Sequence, residues 1–453
     1  MKKFLLLPVL FLVFYNVSAQ GDSIDINSFN RYYEKSIDKL RELVAVKRSV
    51  GFDCNYYKGY DYKSEILKLI RKFENEFNEN AGKYKNRNRA DHVAIIFYSA
   101  ETDTLRIWLF RNNRIYYHFS LTTKQQLADA ELQLRQALGV DELRAARSPY
   151  LRGGETRNTV SAKTSPDVAI NTATSILLPA AIRKGLHQLH HLIIIPEYNI
   201  GQFPFGILKP YKENSFLIDS TSISFAPHLC NLAMVDDDKE RLFRRKNSFH
   251  TERPLIVGNP SYYAGGEIVF PSLPGAEEEA RTIAQLMRTN AITGKEATAG
   301  KIIAASMQAD FLYFATHGFF DFEKLLKGSF LAFTPDGSIP NGFWTADSIQ
   351  RVKLKADLAV LSACQTGVGK IYEGGFIGIG RSFYIAGVDN TVISLWSVND
   401  ESTKNLMVMF MNQLQQPDYF FPASHLRKAI LEYKRKDNTL AHWAPFMVFG
   451  FTY

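Results

Sequence analysis

Two short apolar runs constrain this chain more than anything else in it: FLYFATHG, which carries His317, and LAVLSACQTG, which carries Cys364. Each begins as an unbroken apolar stretch and ends in small residues just before its chemistry-bearing side chain. Runs of that length without polar alternation read as parallel strands covered on both faces. Around them, strand and helix patterns alternate from Pro254 to the C-terminus, the mark of a parallel α/β sheet. In such a sheet the carboxyl ends of the strands line the functional crevice. A thiol and an imidazole 47 residues apart (364 − 317) are therefore expected side by side on neighbouring strand ends.

SAC followed by Gln365 approximates the caspase signature, in which the histidine lies about 50 residues upstream of the cysteine. Further words appear in a fixed order: PEYNIGQFPFGIL, LIVGNPSYY, LPGAEEEARTIAQL, ADFLYFATHG, ADLAVLSACQTGVG, a Gly374 to Gly387 helix, TVISLWSVNDEST and the closing WAPFMVFG. On these the chain, from about Asp91 onward, resembles a CHAT domain, a bacterial relative of caspases and separases. The resemblance implies a caspase-like three-layer α/β/α sandwich with a pseudo-caspase first lobe and an active second lobe. It divides the chain into a signal peptide (1–20), a helical leader (21–85), an inactive lobe (86–235), a charged linker (236–253) and a catalytic lobe (254–453). CHAT proteins often carry tetratricopeptide repeats ahead of the domain, but the leader has no 34-residue period.

The N-terminus pairs Lys2 and Lys3 with an apolar run from Phe4 to Val13 and the small residues Ser18 and Ala19, the pattern of an export signal cleaved near Ala19 or Gln20. The expected product is periplasmic or extracellular, with no integral membrane segment after cleavage. Three cysteines are present. Cys54 and Cys230 could pair and leave Cys364 free, but nothing brings them together, and small buried hydrophobes describe them better. The formal charge of +8 is spread among acids rather than gathered on one face, so nucleic acid is not an expected partner.

In the first lobe VAIIFYS, LRIWLF and RIYYHF predict an antiparallel meander. A helix is expected from Thr123 to Leu138, a surface loop from Ala145 to Pro166, a helix near Ser175 to Leu189, and a strand at LIIIPEYN. His187, His190 and His191 lie where that helix gives way to the strand. Their spacing does not put three imidazoles on one helix face, so a charged histidine at the negative helix end is expected rather than a metal site. Residues Asp236 to Arg253 lack a core face and read as an exposed linker. By likeness to caspase relatives, Arg244, Arg245 and Lys246 are candidate cut sites.

In the second lobe LPGAEEEARTIAQLM predicts a helix with Glu277 to Glu279 in its first turn, and Thr298 to Met307 another. For acyl transfer the thiolate of Cys364 is the nucleophile, and His317 supplies the imidazole that activates it and later protonates the leaving amine. The resemblance assigns the oxyanion donors to the backbone N–H groups of Gly318 and Cys364. Through the separase branch it also assigns Asp400 the basic side chain before the cut, which makes Arg or Lys the expected specificity. The alternative is that Asp400 caps the helix beginning at Glu401. Glu373, Gln365 and Trp396 are further substrate-side candidates, Trp396 either packing or walling the pocket.

The glycines at 367, 369, 374, 375, 378 and 380 match neither a P-loop nor a dinucleotide fingerprint, so they are expected in a substrate-side loop and a tightly packed helix. No cofactor is implied. Three functions remain open: an exported cysteine endopeptidase acting on a protein or peptide, an inactive module that binds a protein partner through the same cleft, and a thiol hydrolase of small amides or esters.

Overall fold

The computed structural model of the chain describes residues 92–111, 114–140, 164–211, 215–226, 249–263, 270–321, 324–363, 369–372, 375–418 and 420–450. The expected signal peptide and leader, the Ala145 to Lys163 part of the expected loop, and the expected linker up to Ser248 lie outside these residues, as do Cys54 and Cys230.

Strands β1 (His92–Ala100), β2 (Leu105–Arg111) and β3 (Arg114–Ser120) form the expected antiparallel meander. Helix α1 (Lys124–Ala137) starts at a reciprocal cap: Gln126 N–H donates to Thr123 Oγ1 at 3.1 Å, and Thr123 N–H donates to Gln126 Oε1 at 2.8 Å. Helix α2 (Pro166–Leu177) starts well before the helix expected near Ser175. Ser165 accepts from Val168 N–H and Pro166 takes the first helical position, where its missing donor costs nothing. The chain then passes through short turns into β4 (Leu189–Ile195), which lies parallel to β1 and to β5 (Ser222–Phe225).

His190 and His191 are thus strand residues, not helix-end residues. His191 is buried, its Nδ1 3.0 Å from Ser222 Oγ and its Nε2 3.1 Å from Ser224 Oγ. Burial pushes its pKa down to about 3, so the charged histidine expected here is a neutral one.

The second half opens with β6 (Pro254–Pro260), α3 (Pro274–Leu286), β7 (Ile292–Gly294) and α4 (Ala299–Ser306), followed by β8 (Phe311–Ala315). A small separate sheet, β9 (Gly318–Asp321), β10 (Ser329–Ala332) and β11 (Phe343–Thr345), follows immediately. Then come β12 (Leu358–Leu361), the hairpin β13 (Gly369–Tyr372) and β14 (Gly375–Gly378), α5 (Ile379–Ala386), β15 (Asn390–Ser394), α6 (Asp400–Leu414), α7 (Pro422–Tyr433) and β16 (Phe446–Gly450). The expected Gly374 to Gly387 helix therefore begins only at Ile379; β-forming Phe376 and Ile377 carry the residues before it into the hairpin.

The strands join in one eleven-stranded sheet, ordered β3-β2-β1-β4-β5-β16-β15-β12-β8-β6-β7. Every residue of β8, β12 and β15 is buried. Because successive strand residues face opposite sides, the sheet is covered on both faces, and the fold is a three-layer α/β/α sandwich. β16 returns from the end of the chain to pair parallel with β5 and antiparallel with β15. The direction reverses there, so β6, β8, β12 and β15 end on the edge opposite to β1, β4 and β5.

Two charged stretches differ from expectation. Only Glu277 lies in the first turn of α3; Glu278 reaches Lys404 at 2.6 Å, and fully buried Glu279 accepts from Tyr313 Oη at 2.7 Å. The last residues of the expected linker are docked: Phe249 packs on Phe311 and Phe420, and Glu252 and Arg253 donate N–H bonds to Asp310.

Candidate active site

β8 and β12 are neighbours in parallel register, pairing Phe311 with Leu358 and Phe314 with Leu361. Registered residues are thus 47 apart, the same separation as His317 and Cys364. Both strands leave the sheet at the same edge, and each reaches its candidate residue three positions beyond the Phe314 and Leu361 pair. Neighbouring strands lie about 4.8 Å apart. Cys364, Gln365 and Glu373 themselves fall outside the described residues.

His317 follows Thr316 at the end of β8 and is fully buried. Its ring clusters with those of Tyr262 (centroids 4.7 Å apart) and Phe270 (5.2 Å), which themselves lie 6.0 Å apart. Nε2 is 2.8 Å from the carbonyl oxygen of Pro271. A carbonyl only accepts, so Nε2 carries the proton, and in the neutral ring Nδ1 is the basic nitrogen. Thr316 Oγ1 donates to the Ala332 carbonyl at 2.5 Å and meets Tyr262 Oη at 3.3 Å, which fixes the strand end behind the imidazole.

Gly318 opens β9. Ala332 N–H donates to His317 O, and Gly318 is paired with Leu331 one position on. In an antiparallel ladder the bonded pairs alternate, so the Gly318 N–H is directed away from β10, off the edge of the small sheet.

Asp400 is the first residue of α6, and the cap is Asn399, whose Oδ1 accepts from Ser402 N–H at 2.8 Å. The capping role considered for Asp400 therefore belongs to its neighbour. Asp400 packs against the first turn of α3: a Cβ added to Gly275 would lie 2.8 Å from its Cβ and its Oδ2. The N-terminal turns of two helices thus meet at this carboxylate. Trp396 is corrected from a substrate-side candidate to a core residue. It is fully buried, donates from Nε1 to Ala441 O at 2.9 Å, and carries the Arg135 guanidinium 5.5 Å over its ring.

The structure brings His317 and Asp400 to the two ends of one short segment. Pro271 holds the imidazole, and four residues on Gly275 meets the carboxylate. Sequence reasoning missed this segment. A backbone carbonyl has no signature of its own, and the visible hint was the VFPSLPG stretch, whose two prolines stiffen the approach to α3. Chemically, an imidazole with a fixed Nε2 proton and a basic Nδ1 is equipped for proton exchange of the kind a thiol nucleophile needs.

The CHAT domain family profile matches residues 168–451. Among curated proteins, tetratricopeptide repeat protein 28 of Homo sapiens is 23% identical over 299 residues, which is 59% of this chain and 12% of that one. Its Mus musculus counterpart is 22% identical with the same shares. The chain spans 12% of the length of these relatives. Among experimental structures, a chain from the 3.0 Å Saccharomyces cerevisiae separase–securin complex superposes with a TM-score of 0.52 at 10% identity, covering 94% of this chain and 34% of that one. That likeness is one of fold. The family match runs from α2 to the end of β16, well over half of the chain, and this chain belongs to the CHAT domain family, with a caspase-like α/β architecture.

Proposed function

We propose that this chain is an exported cysteine endopeptidase that cuts proteins after Arg or Lys through a Cys364 and His317 pair. The observation that carries the reading is the β8 and β12 register, whose offset equals the spacing of the two residues. His317 Nδ1 takes the thiol proton, and the thiolate adds to the scissile carbonyl. The Gly318 and Cys364 N–H groups stabilise the oxyanion, and the imidazolium returns its proton to the leaving amine. Water then releases the acyl group by the same proton route. Asp400 pairs with the basic side chain before the cut. Export rests on the Lys2 to Gln20 pattern; N-terminal sequencing of secreted protein should begin near Gln20 or Gly21, and an intact Met1 would remove it from the proposal.

The test is turnover of peptide amides carrying Arg, Lys, Asp or Leu before the scissile bond, beside a Cys364→Ala control. Cleavage after Arg or Lys, lost in the control, is the expected result. Cleavage after Asp would keep the enzyme and discard the role of Asp400.

One observation favours a second reading. His317 is fully buried against the Tyr262 and Phe270 rings, as suits a module that holds a protein partner without cutting it. The separase relative was crystallised in complex with securin, and a protein partner is the corresponding proposal here. Alkylation of Cys364 across pH separates the two readings. An active pair gives a thiolate well below the ordinary cysteine range near 8.5, and a silent one does not.

A further inference from the structure

Near the end of β6 the chain does something unusual at Asn259. Its φ is +45°, in the left-handed region, and the register of β6 against β7 shifts between Gly258 and Pro260. Asn tolerates that conformation better than most residues, and a bulge re-aims the side chain it contains. Here the side chain is aimed at the start of α3. Oδ1 accepts from Leu273 N–H at 2.7 Å and from Ser272 Oγ at 3.3 Å; Nδ2 lies 3.2 Å from both Ser272 Oγ and Glu277 Oε2. Asn259 is only 9% exposed, and its bond from Leu273 N–H is buried, while those to Ser272 and Glu277 lie at the border of the solvent.

Gly258 makes this reach possible. A Cβ there would lie 2.4 Å from Ala280 Cβ and 2.7 Å from Ala276 O, so only a glycine lets β6 pass so close beneath α3. Two of the residues Asn259 grasps, Ser272 and Leu273, directly follow Pro271, whose carbonyl accepts from His317. That carbonyl shares its peptide plane with the Ser272 nitrogen, so a grip on Ser272 and Leu273 sets where the carbonyl points.

We infer that Asn259 is the positioning residue of the site: by holding Ser272, Leu273 and Glu277 it fixes the Pro271 carbonyl, and through it the tautomer and orientation of His317. The inference rests on His317 being the proton carrier of the proposed peptidase. Asn259 supplies two things at once, an amide that both donates and accepts and a backbone at home at positive φ.

The test uses the whole secreted chain with 15N-labelled histidine, the His317 resonances being identified by their loss in His317→Asn. The wild type should show the Nε2–H tautomer. Asn259→Gly keeps the backbone conformation and deletes only the amide. It should give mixed tautomers and a kcat lower by about 10- to 100-fold, with KM little changed. Asn259→Asp keeps the acceptor for Leu273 N–H but turns a carboxylate toward Glu277, and should fall between. An Asn259→Gly protein with wild-type tautomer and kcat overturns the inference. Should that variant not fold, an unchanged His317 spectrum in Asn259→Asp overturns it equally. A tautomer shift in a protein whose wild type cleaves nothing would sustain the positioning role while removing the peptidase reading.

Discussion

Among the described residues each half of the sheet buries a histidine beside aromatic rings, and the two are opposites. His191 lies within β4, both nitrogens bonded to serine hydroxyls of β5, its ring edge-on to Phe421 at 4.6 Å. His317 lies just past the end of β8, with Nε2 committed to a carbonyl and Nδ1 as the basic nitrogen. Burial is equal; position along the strand is not. A mid-strand imidazole is enclosed by its own ladder, while one at a carboxyl end meets whatever the neighbouring strand ends deliver. The corresponding ends of the first half are sealed: Ala100 N–H, at the end of β1, donates to the buried Glu197 carboxylate at 2.6 Å, two residues beyond β4.

The largest effect expected from this comparison is catalytic. His317→Asn should lower kcat/KM on an Arg peptide amide by about 10²- to 10⁴-fold, the usual worth of a positioned acid and base. His191→Gln, which keeps a hydrogen-bonding side chain in β4, should leave turnover within about twofold. Equal losses in steady-state assays would mean that the halves do not differ in the way described.

The next effect concerns stability and pH. His191 is neutral when folded, with its pKa lowered to about 3, whereas in the unfolded chain it takes a proton near 6.5. Below about pH 6.5 the unfolded state therefore binds the extra proton. The stability contributed by neutral His191 is fully present above that pH and is lost as pH falls toward 3. The slope is at most about 1.4 kcal/mol per pH unit. Urea titrations from pH 7 to 4 should show this decline, and His191→Gln should flatten it. An unaltered slope in the variant would contradict the assignment.

The fold was legible where periodicity was strong. The unbroken apolar runs at Phe311 and Leu358 gave the central strands, and the 47-residue spacing anticipated a register that the backbone then adopted. It failed where neighbours compete for one role. Asn399 and Asp400 are equally good caps, and only geometry shows that Asn399 reaches Ser402 N–H. The α2 start was obscured because polar Ser165, Pro166 and Asp167 read as the end of a loop. At the site, His317 was visible by residue type, but its orienting partner is a main-chain oxygen, and the Asn259 clamp depends on a bulge that sequence does not display.

A smaller effect separates the halves by packing. A Cβ at Gly258 meets Ala280 Cβ and a backbone oxygen, neither of which can swing aside, so Gly258→Ala should cost about 1–3 kcal/mol. A Cβ at Gly185 would come 2.3 Å from Leu109 Cδ2, the end of a rotatable side chain, and 2.8 Å from the edge of the Tyr116 ring, with no backbone atom among its nearest neighbours. Gly185→Ala should therefore cost less. Thermal melts of the two proteins that rank the other way would show that the first half packs more rigidly against its sheet.

The smallest effect is the most informative about specificity, because Asp400 has two possible uses. Its carboxylate lies at the N-termini of α6 and α3, a place where an acidic side chain is generally worth about 0.3–1 kcal/mol. If that is its whole role, Asp400→Asn lowers stability by such an amount and leaves the preference for Arg over Leu before the cut unchanged. If it also receives the substrate's basic side chain, the ratio of kcat/KM for Arg over Leu should fall by about tenfold, equivalent to about 1.4 kcal/mol. Gly275→Ala sharpens the distinction. It leaves the charge in place but drives a Cβ against Asp400, so a pocket acid would be displaced and selectivity would fall. A pure dipole partner would show only the cost of crowding.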